Sequence, residues 1–194
     1  MSKTEPILVI PSEIYIKNQY SKNIKDIVCE HGMFYPRDRA EVDTTFLQII
    51  PYIYITDSKH TLIYKRLKGG NETRLHDKYS LGFGGHVSQY DHVPGIPLWS
   101  IVESAAYREL DEELEIPDPE GIRITFSDHI IYDPSNDVGK VHLGVIGKCE
   151  TSCINQIISQ EQEKIEISVV SNQKLPSYLD KMENWSKILY NNVF

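Results

Sequence analysis

The chain has 194 residues, of which 40% are apolar and 25% charged, and its formal net charge is −8. This length and composition are typical of one soluble globular domain with a sizeable core. The negative charge argues against a long nucleic acid as partner, because polymer affinity depends largely on phosphate neutralisation by Lys and Arg. It does not exclude small phosphorylated ligands, which bring their own metal and meet local basic residues.

The cysteines and the N-terminus bear on the compartment. Cys29, Cys149 and Cys153 form no CxxC pair, so the sequence suggests neither a disulfide framework nor a zinc site. The N-terminus carries no charged-then-apolar signal, and no apolar run approaches the length of a membrane span. We therefore expect a cytoplasmic protein without a membrane partner.

Residues 1–45 are predicted to be an N-terminal extension packed on the domain formed by residues 46–194. The extension contains one apolar run, Ile7–Ile10, and ends in the charged stretch Arg37–Glu41, which is predicted to be a loop.

Strand patterns begin after this extension. Phe46–Thr56 is rich in Ile and Tyr and predicts a strand, and Thr61–Arg66 predicts its hairpin partner. Tyr79–Val87 predicts a third strand interrupted by glycines. Two loops, Lys68–Lys78 and Ser88–Leu98, flank this third strand.

A helix is predicted from Ile101 to Glu115, since Ser100 and Glu103 fit a capping box and Pro117 follows. Further strands are predicted beyond it, and the tail has helical spacing. These segments are Ile122–Tyr132, Lys140–Cys149 and Lys164–Val170 for the strands, and Ser177–Val193 for the helical tail. Strands flanking two helices predict a sandwich of the α/β or α+β type with a mixed sheet.

Three glutamates on the predicted helix have a spacing suited to metal binding. Glu109, Glu112 and Glu113 fall on one helical face, because residues three and four apart are neighbours. Clustered carboxylates raise one another's pKa, and a hard divalent cation removes that cost. The alternative interpretation is a solvated acidic face of the helix.

With Gly85 upstream, the run from Arg108 to Glu113 (Arg-Glu-Leu-Asp-Glu-Glu) resembles the Nudix box of the Nudix hydrolases. The similarity in element order extends from Phe46 to the C-terminus. The phrases Ile-Ile-Pro-Tyr at 49–52 and Leu-Gly-Phe-Gly-Gly-His at 81–86 resemble a branch known as predicted phosphoesterases. The resemblance implies an α/β fold, specifically a Nudix-like α/β/α sandwich with a mixed sheet.

The sequence departs from the family pattern at three places. The segment between Gly85 and Arg108 is about nine residues longer than the pattern. Ser100 stands where the pattern has Glu, and Glu115 stands where it has Gly.

The resemblance implies a role for each matching residue. Glu109, Glu112 and Glu113 would be ligands of Mg²⁺ or Mn²⁺, with a backbone carbonyl at Gly85 or its neighbour completing the shell. Glu112, Glu113 and Arg108 would form the catalytic group, and Arg108 would orient the ligands by pairing with Glu112 or with Glu103.

Three further residues are predicted to meet the substrate: Arg66 and Arg74, around the first loop, and His86. His86, like His142, could equally be a structural histidine. The general base stays open between a box glutamate and a carboxylate of a later loop, for which Glu161, Glu163 and Asp137 are the candidates.

These observations predict a metal-dependent hydrolase that cleaves a pyrophosphate linkage in a nucleoside diphosphate derivative or similar phosphorylated metabolite. One alternative is a Nudix fold kept as a nucleotide sensor without catalysis, which Ser100 favours slightly. An isomerase of isoprenoid diphosphates would need a cysteine at the site, and no cysteine lies near the box. The sequence leaves the oligomeric state open, a homodimer being the commonest oligomer.

Overall fold

The computed structural model describes residues 4–69, 75–119 and 121–194. In chain order the strands are β1 (Pro6–Pro11), β2 (Met33–Pro36), β3 (Phe46–Thr56), β4 (His60–Arg66), β5 (Tyr79–Ser80), β6 (Gly82–Phe83), β7 (Leu114–Glu115), β8 (Arg123–Ile131), β9 (His142–Glu150), β10 (Ile158–Ser159) and β11 (Ile165–Ser171). The helices are α1 (Ser12–Asn18), α2 (Ile24–His31), α3 (Arg37–Ala40), α4 (Leu98–Glu113) and α5 (Asn184–Val193).

Among the described residues, strand β3 is the centre of a mixed sheet of nine strands. From Gln48 to Thr56 it pairs in parallel with β9, which pairs in turn with antiparallel β8. The opposite edge of β3 pairs with three strands: β1 near the start of β3, and β6 and β4 near its end. The sheet is therefore divided along this edge, and Pro51 lies between the two groups of strands.

The sheet lies between two helical layers. Successive residues of a strand point to opposite faces. Ile53 packs in one cluster with Leu110 of α4, whereas Tyr52 and Tyr54 pack in another with Leu189 of α5. All of these side chains are buried. The α/β/α sandwich with a mixed sheet is thus confirmed.

The first 45 residues contribute strands to this same sheet. The apolar run Ile7–Ile10 lies in β1, between β2 and β3, and its four side chains are completely buried. Burial on both faces is typical of a central strand. The loop predicted for Arg37–Glu41 was wrong: Pro36 precedes the helical turn α3, and Asp38 lies in that turn. A proline before a first turn and an acidic residue within it both favour a helix.

The strands β3, β4, β8, β9 and β11 confirm five predicted strands within about two residues at each end. The single strand predicted for Tyr79–Val87 was wrong, because β5 and β6 are separated at Leu81. The Leu81 N–H donates to Ser186 Oγ at 2.8 Å instead of continuing a ladder. A Cβ at Gly82 would lie 2.4 Å from the Tyr52 ring, so only glycine allows this close approach.

The continuous helix predicted for Ser177–Val193 was also wrong. The segment contains 3₁₀ turns over Asn172–Lys181, an extended Met182 and then α5. Glu183, next in the chain, accepts a hydrogen bond from the Tyr52 hydroxyl at 2.8 Å. This contact with the sheet holds the chain at the break between the two elements.

Helix α4 begins at Leu98, three residues before the predicted start. Pro97 is its N-cap, with φ −54°, and no side chain caps the helix. The capping box predicted for Ser100 and Glu103 was therefore wrong. Ser100 lies inside the first turn, where its N–H donates to the Pro97 carbonyl at 3.0 Å.

The same helix ends at Glu113 instead of the predicted Glu115. Leu114 has extended backbone, with φ −134°, because it enters β7 and pairs with β10. Gln160 forms hydrogen bonds with carbonyls of the last turn of the helix. Its backbone N–H donates to Glu113 O at 2.9 Å, and its side chain donates to Asp111 O at 2.7 Å. These two hydrogen bonds satisfy carbonyl groups at the end of the helix that carries the glutamates.

Candidate active site

The last two turns of α4 bring three glutamates to the wall of one cleft. Glu109, Glu112 and Glu113 all line this cleft. Glu109 is 8% exposed, and the side chain of Glu112 is 59% exposed. The predicted convergence of the three carboxylates is present, while their role as ligands stays a prediction.

The two glycines before His86 lie in close contact with β3 and with Glu109 of α4. A Cβ on Gly85 would lie 2.4 Å from Oε2 of Glu109, and a Cβ on Gly84 would lie 1.8 Å from the carbonyl oxygen of Pro51. A Cβ on Gly84 would therefore require the strand to move, whereas a Cβ on Gly85 would displace the Glu109 carboxylate. The Glu109 carboxylate therefore lies directly against Gly85, whose carbonyl is the predicted fourth metal contact.

Arg108 is held in place by the long loop before the helix. Its Nε and Nη2 donate to the two carboxylate oxygens of Asp91 at 2.9 and 3.0 Å, and Nη2 also donates to the His86 carbonyl at 3.0 Å. Asp91 accepts in turn from the backbone N–H of Ser88 at 3.0 Å, within the capping box of a 3₁₀ turn. This bidentate arrangement fixes the orientation of the guanidinium.

The same guanidinium contacts two of the three glutamates. Nη1 donates to Glu109 Oε1 at 2.8 Å and to Glu112 Oε1 at 3.1 Å, which confirms the predicted pairing with Glu112. The alternative partner, Glu103, forms no such pair. Burial lowers the pKa of Arg108, but its carboxylate partners, led by Asp91, raise it above the usual range. Arg108 is therefore a permanent cation that orients the glutamates.

The buried carboxylates are costly to ionise without a cation. The pKa of Glu113 is raised to about 8, first by burial and then by the charges of Glu109 and Glu161, against the opposing effect of Arg66. Burial also raises the pKa of Glu109, against the effect of Arg108. Clustered carboxylate oxygens with raised pKa values suit a hard divalent cation, so these residues fit Mg²⁺ or Mn²⁺.

The cleft has a volume of about 750 Å³ and contains charges of both signs. The basic side chains in its lining are Arg37, Arg66, Lys78, Lys164 and Lys187. Of the three residues predicted to meet the substrate, Arg66 and His86 line the cleft, and Arg74 lies outside the described residues.

Arg66 is supported by an aromatic neighbour. Its Nη2 donates to the Tyr64 hydroxyl at 3.0 Å, and the guanidinium lies 5.3 Å from the centre of that ring. Tyr64 donates to the carbonyl of Gly82 at 3.1 Å. Arg66 is therefore held by Tyr64, and its charge acts on the nearby Glu113 carboxyl.

Among the carboxylates considered as general base outside the box, Glu161 lines the cleft. Its negative charge contributes to the raised pKa of Glu113, so the two groups are neighbours. Asp137 instead has a 98% exposed side chain paired with Lys140, and neither it nor Glu163 lines the cleft.

Sequence reasoning missed several residues of the site, Asp91 and Arg37 among them. Asp91 anchors Arg108, and the pattern Ser88-x-x-Asp91 is a capping signal that could have identified the turn presenting it. Arg37 lines the cleft from the N-terminal segment, and no local signal in its charged stretch points to a site formed mostly beyond residue 50.

A mixed sheet, a glycine pair against a buried glutamate and an Arg-Glu-x-x-Glu-Glu helix facing an open cleft are the parts of a Nudix site. The chain belongs to the Nudix hydrolase family. Protein YmaB of Bacillus subtilis (strain 168) is 32% identical over 199 residues, covering 95% of each chain.

Two solved structures illustrate the fold. Tm1382, named as a candidate Nudix hydrolase, superposes with a TM-score of 0.79 at 29% identity and covers 98% of this chain and 100% of its own. The Escherichia coli dihydroneopterin triphosphate pyrophosphohydrolase superposes with a TM-score of 0.51 at 16% identity, covering 76% of this chain and 96% of its own. No family model matches the sequence. Within the described residues, every helix is too short or too polar to traverse a bilayer.

Proposed function

We propose that the protein hydrolyses a pyrophosphate linkage in a nucleoside diphosphate derivative or similar phosphorylated metabolite, with Mg²⁺ or Mn²⁺ as cofactor. The observation that carries this proposal is the cluster of Glu109, Glu112 and Glu113 in a cleft whose lining also contains five arginine and lysine side chains. Two of these carboxyls have raised pKa values, which is the state that a bound divalent cation relieves.

The three glutamates and the backbone carbonyl of Gly85 would hold the cation. A bound Mg²⁺ or Mn²⁺ supplies charge neutralisation of the diphosphate and a more acidic water for in-line attack at phosphorus. Arg108 orients Glu109 and Glu112 through its two Nη1 contacts, and Asp91 fixes Arg108.

The substrate phosphates would meet the basic wall of the cleft. Arg66 and His86 are the proposed contacts described above, and Lys78 and Lys164 add charge to the same lining. Charge-assisted hydrogen bonds from the arginine and the two lysines position a diphosphate and compensate its negative charge. A substrate of this class also agrees with the Escherichia coli neighbour, which is named for the hydrolysis of a pterin triphosphate.

Glu161 is the carboxylate we propose as proton acceptor for the attacking water. It faces the cleft beside Glu113 and belongs to a different element, so the acceptor and the ligands are separate groups. Loss of a general base lowers turnover by about 10²–10⁴-fold. We expect Glu161→Gln to show such a loss in kcat and Glu163→Gln, outside the cleft, to keep the wild-type rate.

The experiment that tests the function is a product-release assay on a panel of nucleoside diphosphate derivatives, with Mg²⁺ or Mn²⁺ and with chelator. Metal-dependent formation of two phosphorylated products, or of a monophosphate and pyrophosphate, is the expected result. Glu112→Gln should abolish turnover with the fold retained, because the substitution removes one ligand charge from an exposed position. Glu103→Gln, on the same helix but outside the cleft, is the matched control.

The nucleotide sensor remains the second candidate because Ser100 replaces the box glutamate. Binding of metal and nucleotide without product, across the panel, would favour the sensor. An unchanged rate in Glu112→Gln would refute the assignment of the site.

A further inference from the structure

A second group of metal-ligating side chains lies outside the glutamate cluster. Glu41 follows α3, His86 follows the glycine pair and His142 begins β9. One ligand atom from each lies within 4.8 Å of the other two. We propose that these three side chains bind a transition-metal ion, best matched by Zn²⁺, at a site separate from the carboxylate site for Mg²⁺.

The chemistry of the donors separates the two sites. Imidazole nitrogens suit Zn²⁺ and other first-row transition metals, whereas carboxylate and carbonyl oxygens suit Mg²⁺. Two imidazoles and one carboxylate form a common donor set of metal sites that retain open positions for water or substrate. The set Glu41, His86 and His142 has this composition, and the set of Glu109, Glu112 and Glu113 contains oxygen alone.

His142 is oriented as a ligand requires. Its Nδ1 donates to the carbonyl of Val138 at 2.7 Å, so Nε2 is the nitrogen with the lone pair. A second hydrogen bond of this kind fixes the tautomer of metal-binding histidines and orients their rings. The ring of His86 lies 5.5 Å away, nearly perpendicular to that of His142.

His86 is held next to Glu41 by a buried glutamine. Its Nε2 lies 2.8 Å from Gln48 Oε1 and 3.9 Å from Glu41 Oε1. Gln48 is fully buried, and its own amide donates to Ala40 O at 3.2 Å. A cation among the three ligands replaces the hydrogen bond to Gln48 with a nitrogen–metal bond, and the ring proton moves from Nε2 to Nδ1. His86 remains neutral throughout.

Arg37 is the cation that now neutralises Glu41. Its Nε donates to Glu41 Oε1 at 3.3 Å. A metal ion therefore competes with Arg37 for this carboxylate, and removal of Arg37 should strengthen metal binding. Arg37, His86 and His142 all line the cleft, so an ion can reach the site from solvent.

The test is a calorimetric titration of the full chain with Zn²⁺ in excess Mg²⁺, which occupies the carboxylate site. We expect Glu41→Gln to weaken Zn²⁺ binding about tenfold to a hundredfold, the range seen when partners of a metal site are altered. Glu30→Gln is the matched control, because Glu30 is also a surface carboxylate paired with a cation, Lys22, and lies outside the cleft. Arg37→Gln should tighten the binding.

The zinc X-ray absorption spectrum supplies a readout that does not depend on activity. We expect scattering from two imidazoles in the wild type and in Glu112→Gln, and its loss in His142→Ala. Because His142 is buried and its replacement can disturb the fold, Glu41→Gln keeps the test decisive. The proposal is overturned if Zn²⁺ affinity is equal in Glu41→Gln and Glu30→Gln, or if bound Zn²⁺ shows only oxygen ligands.

Discussion

The guanidinium of Arg108 connects the loop before α4 to two of the three glutamates. It donates to Asp91, Glu109, Glu112 and the His86 carbonyl, and its side chain is only 25% exposed. Four acceptors around one planar group require the fork geometry of arginine, which lysine lacks. The position of the glutamates therefore depends on this one side chain.

We expect Arg108→Lys to lower the free energy of unfolding by about 1–3 kcal/mol, since buried acceptors lose their donors. Metal-dependent turnover should fall more than stability does, because Glu109 and Glu112 lose their orientation. Thermal unfolding and assays at several metal concentrations measure the two effects. Arg123→Lys, at an exposed site on β8, is the control; equal activity in the two variants would contradict the assigned role.

Glu113 provides a prediction about pH. Its folded-state pKa of about 8 lies above its ordinary value of 4.5, so its protonated form favours the folded state. The contribution of this protonation to the free energy of unfolding is fully present below pH 4.5 and is lost as the pH rises towards 8. In chelator, the wild type should therefore lose stability over this range relative to Glu113→Gln. Denaturant titrations at several pH values measure this difference, and a constant difference would argue against the raised pKa.

At the scale of elements, the site depends on how closely the segment after β6 approaches β3 and α4. Gly84 faces the backbone of β3, whereas Gly85 faces the end of a flexible side chain on α4. Replacement of Gly84 and replacement of Gly85 should therefore have different consequences.

We expect Gly84→Ala to destabilise the fold strongly, because a Cβ 1.8 Å from Pro51 O cannot be accommodated without moving the strand. Gly85→Ala should leave the unfolding temperature near that of the wild type, because only the Glu109 carboxylate must shift. Its metal affinity should fall instead. Thermal unfolding and metal titration of both variants test this contrast, which would fail if Gly85→Ala kept full affinity.

At the scale of the whole molecule, the cleft is assembled from both ends of the chain. Arg37 precedes β3, Lys187 lies in α5, and both line the cleft with the glutamates of α4. Strand β1 is central in the sheet, with the completely buried run Ile7–Ile10 between β2 and β3.

We therefore expect a chain that starts at Phe46 to show no cooperative unfolding transition. Without the N-terminal segment, the edge of β3 and the apolar faces that β1 and α2 cover are exposed. Circular dichroism and thermal unfolding of residues 46–194 measure this. Addition of a peptide comprising residues 1–45 is the complementation control. A cooperative transition of the truncated chain alone would show that the N-terminal segment is a dispensable extension.

Local patterns predicted much of this architecture, and most of the errors lie where distant contacts override them. The long strands were predicted because alternation and β-branched residues are local properties. The predicted start of α4 was wrong because the adjacent Pro97 begins the helix earlier, and the continuous tail helix was wrong because Glu183 contacts Tyr52 at the break before α5. The prediction of a single strand over residues 79–87 was wrong for a similar reason, because Gly82 packs against Tyr52.

The sequence by itself determined the family and the carboxylate cluster, because helical spacing alone brings Glu109, Glu112 and Glu113 to one side of α4. Only the tertiary structure decided which groups complete the site. Asp91, Arg37 and Glu161 come from a loop, the N-terminal segment and a late turn, and their separations in sequence carry no information about contact. The tertiary fold brings Arg37 and Glu161 to the cleft and Asp91 against Arg108, and burial in the cleft raises the pKa of Glu113.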